Sequence, residues 1–497
     1  MTEPRLRPVM LGGTGSDVGK SVLAAGLCRI FRREGYRPAP FKAQNMALNS
    51  FPTPDGLEIG RAQAVQAEAA GIAPEADMNP LLLKPSGERT SQVVLLGKPI
   101  GNRDAYSYYR SEGRDELRKV VCDSFDRLAT RFNPIVIEGA GSIAEINLRD
   151  TDLVNIPMAR HAGAAVILVA DIDRGGVFAS AYGSIMLQSP ADRALIKGII
   201  INKFRGDIRL FESGRRQMEQ ICGVPVLGVV PWMPDIIIDQ EDSVSLDRLG
   251  SDGPVSDGRV NIAAIRLPYI SNFTDLNALA RDPRVNLYLT DSSDLVRRAD
   301  IVLLPGSKST IADLRMLRSL GLDTAIRSVW ENGGKVVGIC GGYQMLGLSV
   351  ADPEGVETGG SESGLGLLAV TTRLTSSKVT RPLRFSARVG EKTGGGEGYE
   401  IHMGVTEPQE DSKMTVFTLS EGGEGLGYAD VTGRVLGTYI HGVFDSVSVI
   451  DLLLGSHLPE NQRSPKQFRE DMYNLLADRL YQHIDIQRLI SILKQLD

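Results

Sequence analysis

Residues 12–21 read Gly12-Gly13-Thr14-Gly15-Ser16-Asp17-Val18-Gly19-Lys20-Ser21, between the apolar run Val9-Met10-Leu11 and an apolar segment that continues to Phe31. This order predicts a strand, a glycine-rich turn and a helix. Such a turn directs backbone N–H groups and a helix N-terminus at one point, which favours a bound anion. We expect Lys20 to reach the β- and γ-phosphates of a nucleotide and the Ser21 hydroxyl to ligate Mg²⁺. The stretch therefore predicts a phosphate-binding loop. Thr14 occupies the position at which such loops usually have their first glycine.

Length and composition limit the function classes. The chain has 497 residues, 42% hydrophobic residues and a formal net charge of -6, which predicts two or three globular domains and argues against nucleic acid or an anionic membrane as the main partner. No apolar run approaches the roughly 20 residues that cross a bilayer, and the N-terminus lacks a signal-peptide pattern. The four cysteines, Cys28, Cys122, Cys222 and Cys340, have no paired spacing. These features favour a cytoplasmic enzyme with reduced thiols.

Polar residues follow several predicted strands of the first half. Lys42 follows a predicted strand that ends at Phe41. Glu138 ends the apolar run that begins at Pro134, and Asn202 ends the apolar run that begins at Gly198. In open α/β sheets, ligands gather beyond the carboxyl ends of the strands. We therefore expect Lys42 near a phosphate or carboxylate, Glu138 as a Mg²⁺ partner and Asn202 at the adenine edge. A solvated lysine and an acidic strand cap are the alternatives for the first two.

Short apolar strands that alternate with helices predict a mostly parallel sheet covered on both faces. The Ala/Gln-rich segment Glu58–Ala70, which contains Gln63 and Gln66, is expected to be a packing helix. The segment from Asp239 to Gly258 is rich in Gly, Ser and Asp, which is typical of a linker. We therefore predict domains at 1–238 and 259–497 with a linker at 239–258.

The first half resembles the dethiobiotin synthetase-like amidoligases, in which ATP phosphorylates a carboxylate and nitrogen attacks the acyl phosphate. The resemblance rests on Gly13 to Ser21, Lys42, Thr53-Pro54-Asp55-Gly56-Leu57 and Glu138-Gly139-Ala140-Gly141. It implies that residues 14–21 and Asn202 bind ATP, that Ser21 and Glu138 hold Mg²⁺, and that Lys20 and Lys42 stabilise the transferring charge. That family supplies a further metal-binding Asp after the turn. Here Glu58 is a possible substitute, and the third ligand stays open.

A second informative stretch, Gly338-Ile339-Cys340-Gly341-Gly342, lies between a predicted strand and a predicted helix. It predicts a nucleophile elbow with Cys340 in place of serine. The helix N-terminus favours the thiolate. The Gly341 N–H and a donor from the Pro305-Gly306-Ser307 loop are expected to form an oxyanion hole. A nucleophilic cysteine needs a base, and we assign His441, which follows an apolar strand, with His402 as runner-up.

The second half resembles the class I glutamine amidotransferases, in which a Cys-His pair releases ammonia from glutamine. The resemblance implies a flavodoxin-like α/β domain and Cys340 and His441 as the pair. The usual His-x-Glu would place Glu at position 443, where this sequence has Val443. The acid that orients the histidine is therefore either missing or supplied from elsewhere, and glutamine hydrolysis is expected to be slower or to need activation.

Across nearly its whole length the sequence resembles the cobyric acid synthase family, on the motifs Phe41-Lys42-Ala43-Gln44-Asn45-Met46, Asn202-Lys203-Phe204-Arg205-Gly206-Asp207 and Gly398-Tyr399-Glu400-Ile401-His402-Met403-Gly404. The resemblance implies two doubly wound α/β domains. It also implies ATP- and glutamine-dependent amidation of the b, d, e and g carboxylates of adenosylcobyrinic acid a,c-diamide. We expect Gln44, Asn45 and Asn49 to contact this corrinoid.

Three other interpretations stay open: the a,c-diamide synthase reaction, a ligase for another carboxylate such as a cell-wall lipid precursor, and a P-loop ATPase scaffold that uses a degenerate amidotransferase domain for binding. The C-terminal segment from Ser464 to Leu496 is helical in pattern. It is expected to pack within the chain or at a subunit contact of a homo-oligomer.

Overall fold

The first part of the chain forms the sheet that carries the phosphate-binding loop. The computed structural model describes residues 5–85, 90–104, 114–239, 252–410, 412–456 and 464–494. Most of the predicted linker therefore lies outside the described residues. The strands of the first part are β1 (Val9–Gly13), β2 (Ala39–Phe41), β3 (Gln44–Met46), β4 (Ser50–Pro52), β5 (Glu58–Gly60), β6 (Leu81–Pro85), β7 (Thr90–Leu95), β8 (Lys98–Asp104), β9 (Ile135–Glu138), β10 (Ala165–Asp171), β11 (Ile196–Phe204) and β12 (Val226–Pro231). Its helices are α1 (Lys20–Arg33), α2 (Arg61–Ala70), α3 (Arg114–Arg131), α4 (Ile156–Ala162), α5 (Val177–Met186), α6 (Pro190–Arg193) and α7 (Glu212–Cys222).

Six of these strands form one sheet in the order β12-β11-β10-β1-β9-β2, and every neighbouring pair is parallel. Side chains of β1 alternate between two apolar cores, with Met10 in one and Val9 and Leu11 in the other. Both faces are thus covered by helices, which confirms the predicted doubly wound sheet. Because β1 is central, its carboxyl end places the phosphate-binding loop between the ends of β9 and β10.

The second part of the chain forms a mixed sheet. Its strands are β13 (Val260–Ile265), β14 (Ile270–Ser271), β15 (Val285–Thr290), β16 (Ile301–Leu304), β17 (Gly306–Ser307), β18 (Lys335–Ile339), β19 (Ser349–Asp352), β20 (Gly360–Ser363), β21 (Val370–Val389), β22 (Lys392–Pro408), β23 (Thr415–Ser420), β24 (Gly425–Ala429) and β25 (Val435–Thr438). The helices are α8 (Leu276–Arg281), α9 (Ser293–Val296), α10 (Thr310–Ser319), α11 (Leu322–Glu331), α12 (Gly341–Leu346) and α13 (Val447–Leu454). A parallel core, β15-β13-β16-β18-β25, continues into antiparallel strands through β24.

The last two helices, α14 (Pro465–His483) and α15 (Ile486–Lys494), return to the first sheet. Leu476, Leu480 and Leu489 are buried in the same core as Val9 and Leu11. A Cβ at Gly26 of α1 would lie 2.2 Å from Leu480 Cδ1, so the absence of a side chain at this position permits the close approach of α14. The C-terminal helices thus cover one face of the first sheet. Truncation of one such buried leucine typically lowers the free energy of unfolding by about 2–5 kcal/mol. The domain limits 1–238 and 259–497 remain predictions.

The β21–β22 hairpin contacts the first part of the chain. A bulge in β21 between Leu374 and Val379 places Lys378 against Glu58, and Glu58 also forms an ion pair of 2.7 Å with Lys84. The prediction that Glu58 begins a helix is wrong, because Glu58 lies in β5 and α2 begins at Arg61. No helix among the described residues is long and apolar enough to cross a membrane.

Two candidate active sites

The phosphate-binding loop opens onto a cavity of about 1000 Å³ at the carboxyl end of the first sheet. It is lined by most of the predicted nucleotide and substrate residues: Thr14, Gly15, Ser16, Asp17, Gly19, Lys20, Ser21, Lys42, Gln44, Asn45, Glu138 and Asn202. Val18 is buried behind the loop. The structure thus brings together residues that are up to 188 positions apart, between Thr14 and Asn202, because they follow neighbouring parallel strands.

The loop has the geometry of an anion site. Gly19 adopts a left-handed φ of 96° directly before α1 begins at Lys20, a conformation that glycine reaches without strain. Lys20 Nζ donates to the carbonyls of Gly15 and Gly141, at 2.9 and 3.0 Å, so its ammonium group lies across the loop. Asn202 Nδ2 donates to the Val18 carbonyl at 2.8 Å and supports the loop from behind. Its adenine contact stays a prediction.

Glu138 is the centre of a buried polar cluster. Its Oε1 accepts hydrogen bonds from Ser21 Oγ and from Lys42 Nζ, each at 2.8 Å. Its Oε2 accepts from Gln66 Nε2 at 2.6 Å. Burial by itself would raise the pKa of Glu138, but Lys42 and then the Gln66 and Ser21 donors hold that pKa below its ordinary value. The carboxylate is therefore ionised at neutral pH beside the phosphate-binding loop.

Ser21 and Glu138 suit a magnesium ion, because a hydroxyl and a carboxylate are the hard oxygen donors that Mg²⁺ prefers. The suggested third ligand is wrong. Glu58 is fully buried elsewhere, and its carboxylate is held by Ser50, Lys84 and Lys378. Within the described ranges, no three His, Cys, Asp or Glu side chains come together as a metal site. Ser21 and Glu138 are therefore the two protein oxygen donors for a metal that the structure brings together beside the phosphate-binding loop.

Sequence reasoning assigned α2 a packing role and missed its polar face. Gln66 contacts Glu138 directly, and Gln63 Nε2 lies 3.4 Å from the same carboxylate. Gln63 also accepts from Asn45 Nδ2 at 2.9 Å. Two glutamines three positions apart lie on one helical face, and this spacing was the available signal.

Asn49 was predicted to contact the corrinoid, and the structure places it elsewhere. The residue is 1% exposed, and its Oδ1 accepts from the Phe273 N–H of the second part at 3.1 Å. Asn49 thus joins the two parts of the chain, whereas Gln44 and Asn45 lie at the cavity.

The second site is built on the predicted elbow. Cys340 lies between β18 and α12 with φ 52° and ψ −109°, a strained conformation for a residue with a Cβ. The turn needs small neighbours, because a Cβ at Gly342 would lie 2.0 Å from the Leu304 carbonyl oxygen. The predicted oxyanion glycines flank the elbow. Gly341 packs against Ser307, and a Cβ at Gly306 would lie 3.3 Å from His441 Cε1. Their oxyanion role stays a prediction.

The acid beside His441 is Asp275, which sequence reasoning missed. Asp275 Oδ2 lies 2.7 Å from His441 Nδ1, and its Oδ1 accepts from the Gly442 N–H at 2.7 Å. Burial would lower the pKa of His441, but the Asp275 carboxylate and then the adjacent Cys340 raise this pKa to about 10. Val443 is buried and apolar. The acid thus comes from a segment that lies 166 positions before His441 in the sequence.

The runner-up base, His402, is engaged elsewhere. Its Nε2 lies 3.1 Å from Glu400 Oε1 and its Nδ1 lies 2.9 Å from the Gly404 carbonyl, while its ring stacks on Tyr439. Both ring nitrogens therefore have partners other than the thiol. The geometry favours His441 as the base.

Comparison with known proteins gives two family matches. Residues 9–245 match the CobQ/CobB/MinD/ParA nucleotide binding domain, and residues 261–449 match the CobB/CobQ-like glutamine amidotransferase domain. The chain is 58% identical to the cobyric acid synthase of Bacteroides fragilis over 99% of both chains. It is 56% identical to that of Phocaeicola vulgatus and 48% identical to that of Salmonella agona, over 98% of each chain in both comparisons.

Proposed function

The chain belongs to the cobyric acid synthase family, and from this premise we propose that it amidates the b, d, e and g carboxylates of adenosylcobyrinic acid a,c-diamide to give adenosylcobyric acid. It is a glutamine-hydrolysing, ATP-dependent ligase that carries out amidation in cobalamin biosynthesis. The observation that carries the proposal is that one chain holds both a phosphate-loop cavity with Lys42 and Glu138 and a buried Cys340–His441 pair.

Ammonia is released at the second site. His441 takes the proton of the Cys340 thiol, and the sulfur attacks the side-chain amide carbon of glutamine. The N–H groups of Gly341 and of the 305–307 loop stabilise the negative oxygen of the tetrahedral intermediate. His441 returns the proton to the leaving nitrogen, and the C–N bond breaks. Water then cleaves the thioester to glutamate. Asp275 fixes the ring through Nδ1 and stabilises the imidazolium.

The released ammonia is used at the first site. A carboxylate oxygen of the corrinoid attacks the γ-phosphorus of ATP, ADP leaves, and the acyl phosphate makes the carbonyl carbon electrophilic. Ammonia attacks that carbon and phosphate leaves. Lys20 and Lys42 stabilise the charge on the transferring phosphoryl group, since catalysis of this step is mainly positioning and electrostatics. Ser21 and Glu138 would hold a Mg²⁺ that neutralises phosphate charge.

Gln44 and Asn45 border the cavity, and we assign them to the corrinoid side chain. The supply of ATP and glutamine favours the cytoplasm as the site of the reaction. A homo-oligomer stays a prediction.

The proposal is tested by mass spectrometry of the corrinoid a,c-diamide after incubation with enzyme, ATP, Mg²⁺ and glutamine. We expect a separate OH-to-NH₂ replacement for each of the b, d, e and g side chains. Cys340→Ala should form the same products with ammonium and none with glutamine. ATP hydrolysis with an unchanged corrinoid would contradict the substrate assignment. Intact glutamine in the wild-type reaction would favour the scaffold interpretation.

A further inference from the structure

Asn272 connects the two candidate sites. The residue is buried, with 3% of its surface exposed. Its Oδ1 accepts from the Ser50 N–H at 2.9 Å, and its Nδ2 lies 3.2 Å from His441 Nε2. One side chain therefore contacts both a strand of the ATP-binding part and the base of the glutamine site.

The orientation of this amide follows from its partners. The backbone N–H of Ser50 can only donate, so the oxygen of Asn272 must face Ser50 and the NH₂ group must face His441. The other ring nitrogen, Nδ1, lies 2.7 Å from the Asp275 carboxylate and carries a proton. The N–H of Asn272 is thus directed at the Nε2 atom that must receive the proton of Cys340.

Asn272 and Asp275 act on His441 in opposite directions. The carboxylate of Asp275 favours the imidazolium, whereas an N–H group directed at Nε2 favours the neutral ring, because two donors facing each other cannot form a hydrogen bond. The ring has no freedom to turn away. His441 is fully buried, and its ring stacks on Tyr399 at a centroid distance of 5.2 Å.

The partner of Asn272 belongs to a segment that also borders the ATP cavity. Lys42, Gln44 and Asn45 line the cavity, and the chain reaches Asn49 four residues and Ser50 five residues after Asn45. Asn49 binds the Phe273 N–H next to Asn272. Residues 42–50 therefore run from the cavity wall to the hydrogen bonds that hold the loop before Asp275.

We propose that Asn272 is a positioning residue: held by Ser50, its N–H opposes transfer of the Cys340 proton to Nε2 of His441 and couples this step to residues 42–50 at the wall of the ATP cavity. The inference rests on the proposed function, since it assigns the coupling between those two sites.

The test is Asn272→Gly, which removes the amide and keeps the backbone, because Asn272 has a left-handed φ of 51° that glycine adopts freely. We expect glutamine hydrolysis without ATP and corrinoid to rise about fivefold, the effect of one ordinary hydrogen bond. In the complete reaction, the ratio of glutamine consumed to amide formed should also rise.

Asn277→Ala is the matched control. Asn277 Nδ2 donates to Asp239, the first residue of the predicted linker, at 2.8 Å, so this variant removes another hydrogen bond of the second part to a preceding segment without contacting His441, and its basal hydrolysis should equal that of the wild type. Unchanged or reduced basal hydrolysis in Asn272→Gly would overturn the inference, as would an equal rise in Asn277→Ala. If the wild type forms no amide in the complete reaction, the proposed function itself fails.

Discussion

The two sites differ in how the chain builds them. The ATP site is an open cavity of about 1000 Å³ whose loop is one contiguous stretch of sequence. The glutamine site is closed, with Cys340 6% exposed and His441 fully buried, and its acid lies 166 positions from its base. The difference teaches that the first site is already open in this structure, whereas the second depends on contacts from distant segments. Perturbing each site separately should therefore give different patterns of lost activity.

The largest effect is expected from Asp275→Asn, which tests whether the distant acid completes the glutamine site. The amide keeps the size of the side chain but cannot stabilise the imidazolium, so glutamine-dependent amidation should fall on the order of 10³–10⁴-fold, as for the acid of other triads. Steady-state rates with glutamine and with ammonium measure this. The ammonium rate is the internal control and should be close to that of the wild type. A glutamine rate within threefold of wild type, roughly 0.7 kcal/mol, would refute a role for Asp275.

A somewhat smaller loss is expected from Lys42→Met, which tests the open site. Methionine keeps the apolar stem but removes the charge that pairs with Glu138 at 2.8 Å. Loss of one preorganised charge in the phosphoryl step typically costs about 10²–10³-fold in rate. Amidation should fall equally with glutamine and with ammonium.

The control for Lys42→Met is glutamine hydrolysis by the same variant, which should persist because Cys340, His441 and Asp275 are untouched. Lys119→Met is the matched surface variant, since its ion pair with Asp123 is exposed and such pairs contribute little. A loss restricted to the glutamine-dependent reaction would contradict the assignment of Lys42 to the ATP site.

The sequence predicts the parts of both sites that are encoded locally. Residues 12–21 specify a strand, a turn and a helix by composition alone, and the small neighbours of Cys340 specify an elbow. Lys42, Glu138 and Asn202 were found because strand ends share one edge of a parallel sheet. Asp275 was missed because periodicity does not reveal which loop reaches His441. Asp275 follows β13, which ends at the same edge of the sheet as β18 and β25. This shared edge was the signal that could have placed Asp275 near Cys340 and His441.

The errors have a similar cause. Asn49 is a polar residue close in sequence to the loop residues that line the cavity, and Glu58 follows a turn that resembles a metal-binding motif. Both lie against the second part of the chain, where Asn49 binds Phe273 and Glu58 binds Lys378. Contacts between distant parts decide the role of such residues, and a single sequence does not contain them.

The smallest expected effect is on how the free energy of unfolding depends on pH, and it arises at the glutamine site. Asp275 and then Cys340 raise the pKa of His441 from 6.5 to about 10 against the opposing effect of burial, so the folded chain holds this proton more tightly than the unfolded chain does. The resulting stabilisation is fully present below the unfolded pKa and is lost as pH rises through the folded pKa.

Asp275→Asn removes the main cause of that shift. The difference in thermal midpoint between wild type and variant should therefore be largest near about pH 6 and should shrink as the pH approaches about 10. Lys119→Met provides the comparison, because its ion pair with Asp123 is exposed and such pairs contribute little to stability, so its midpoint difference from wild type should stay small and constant from about pH 6 to 9. A constant difference for Asp275→Asn over the same range would mean that the buried pair carries no extra proton in the folded state.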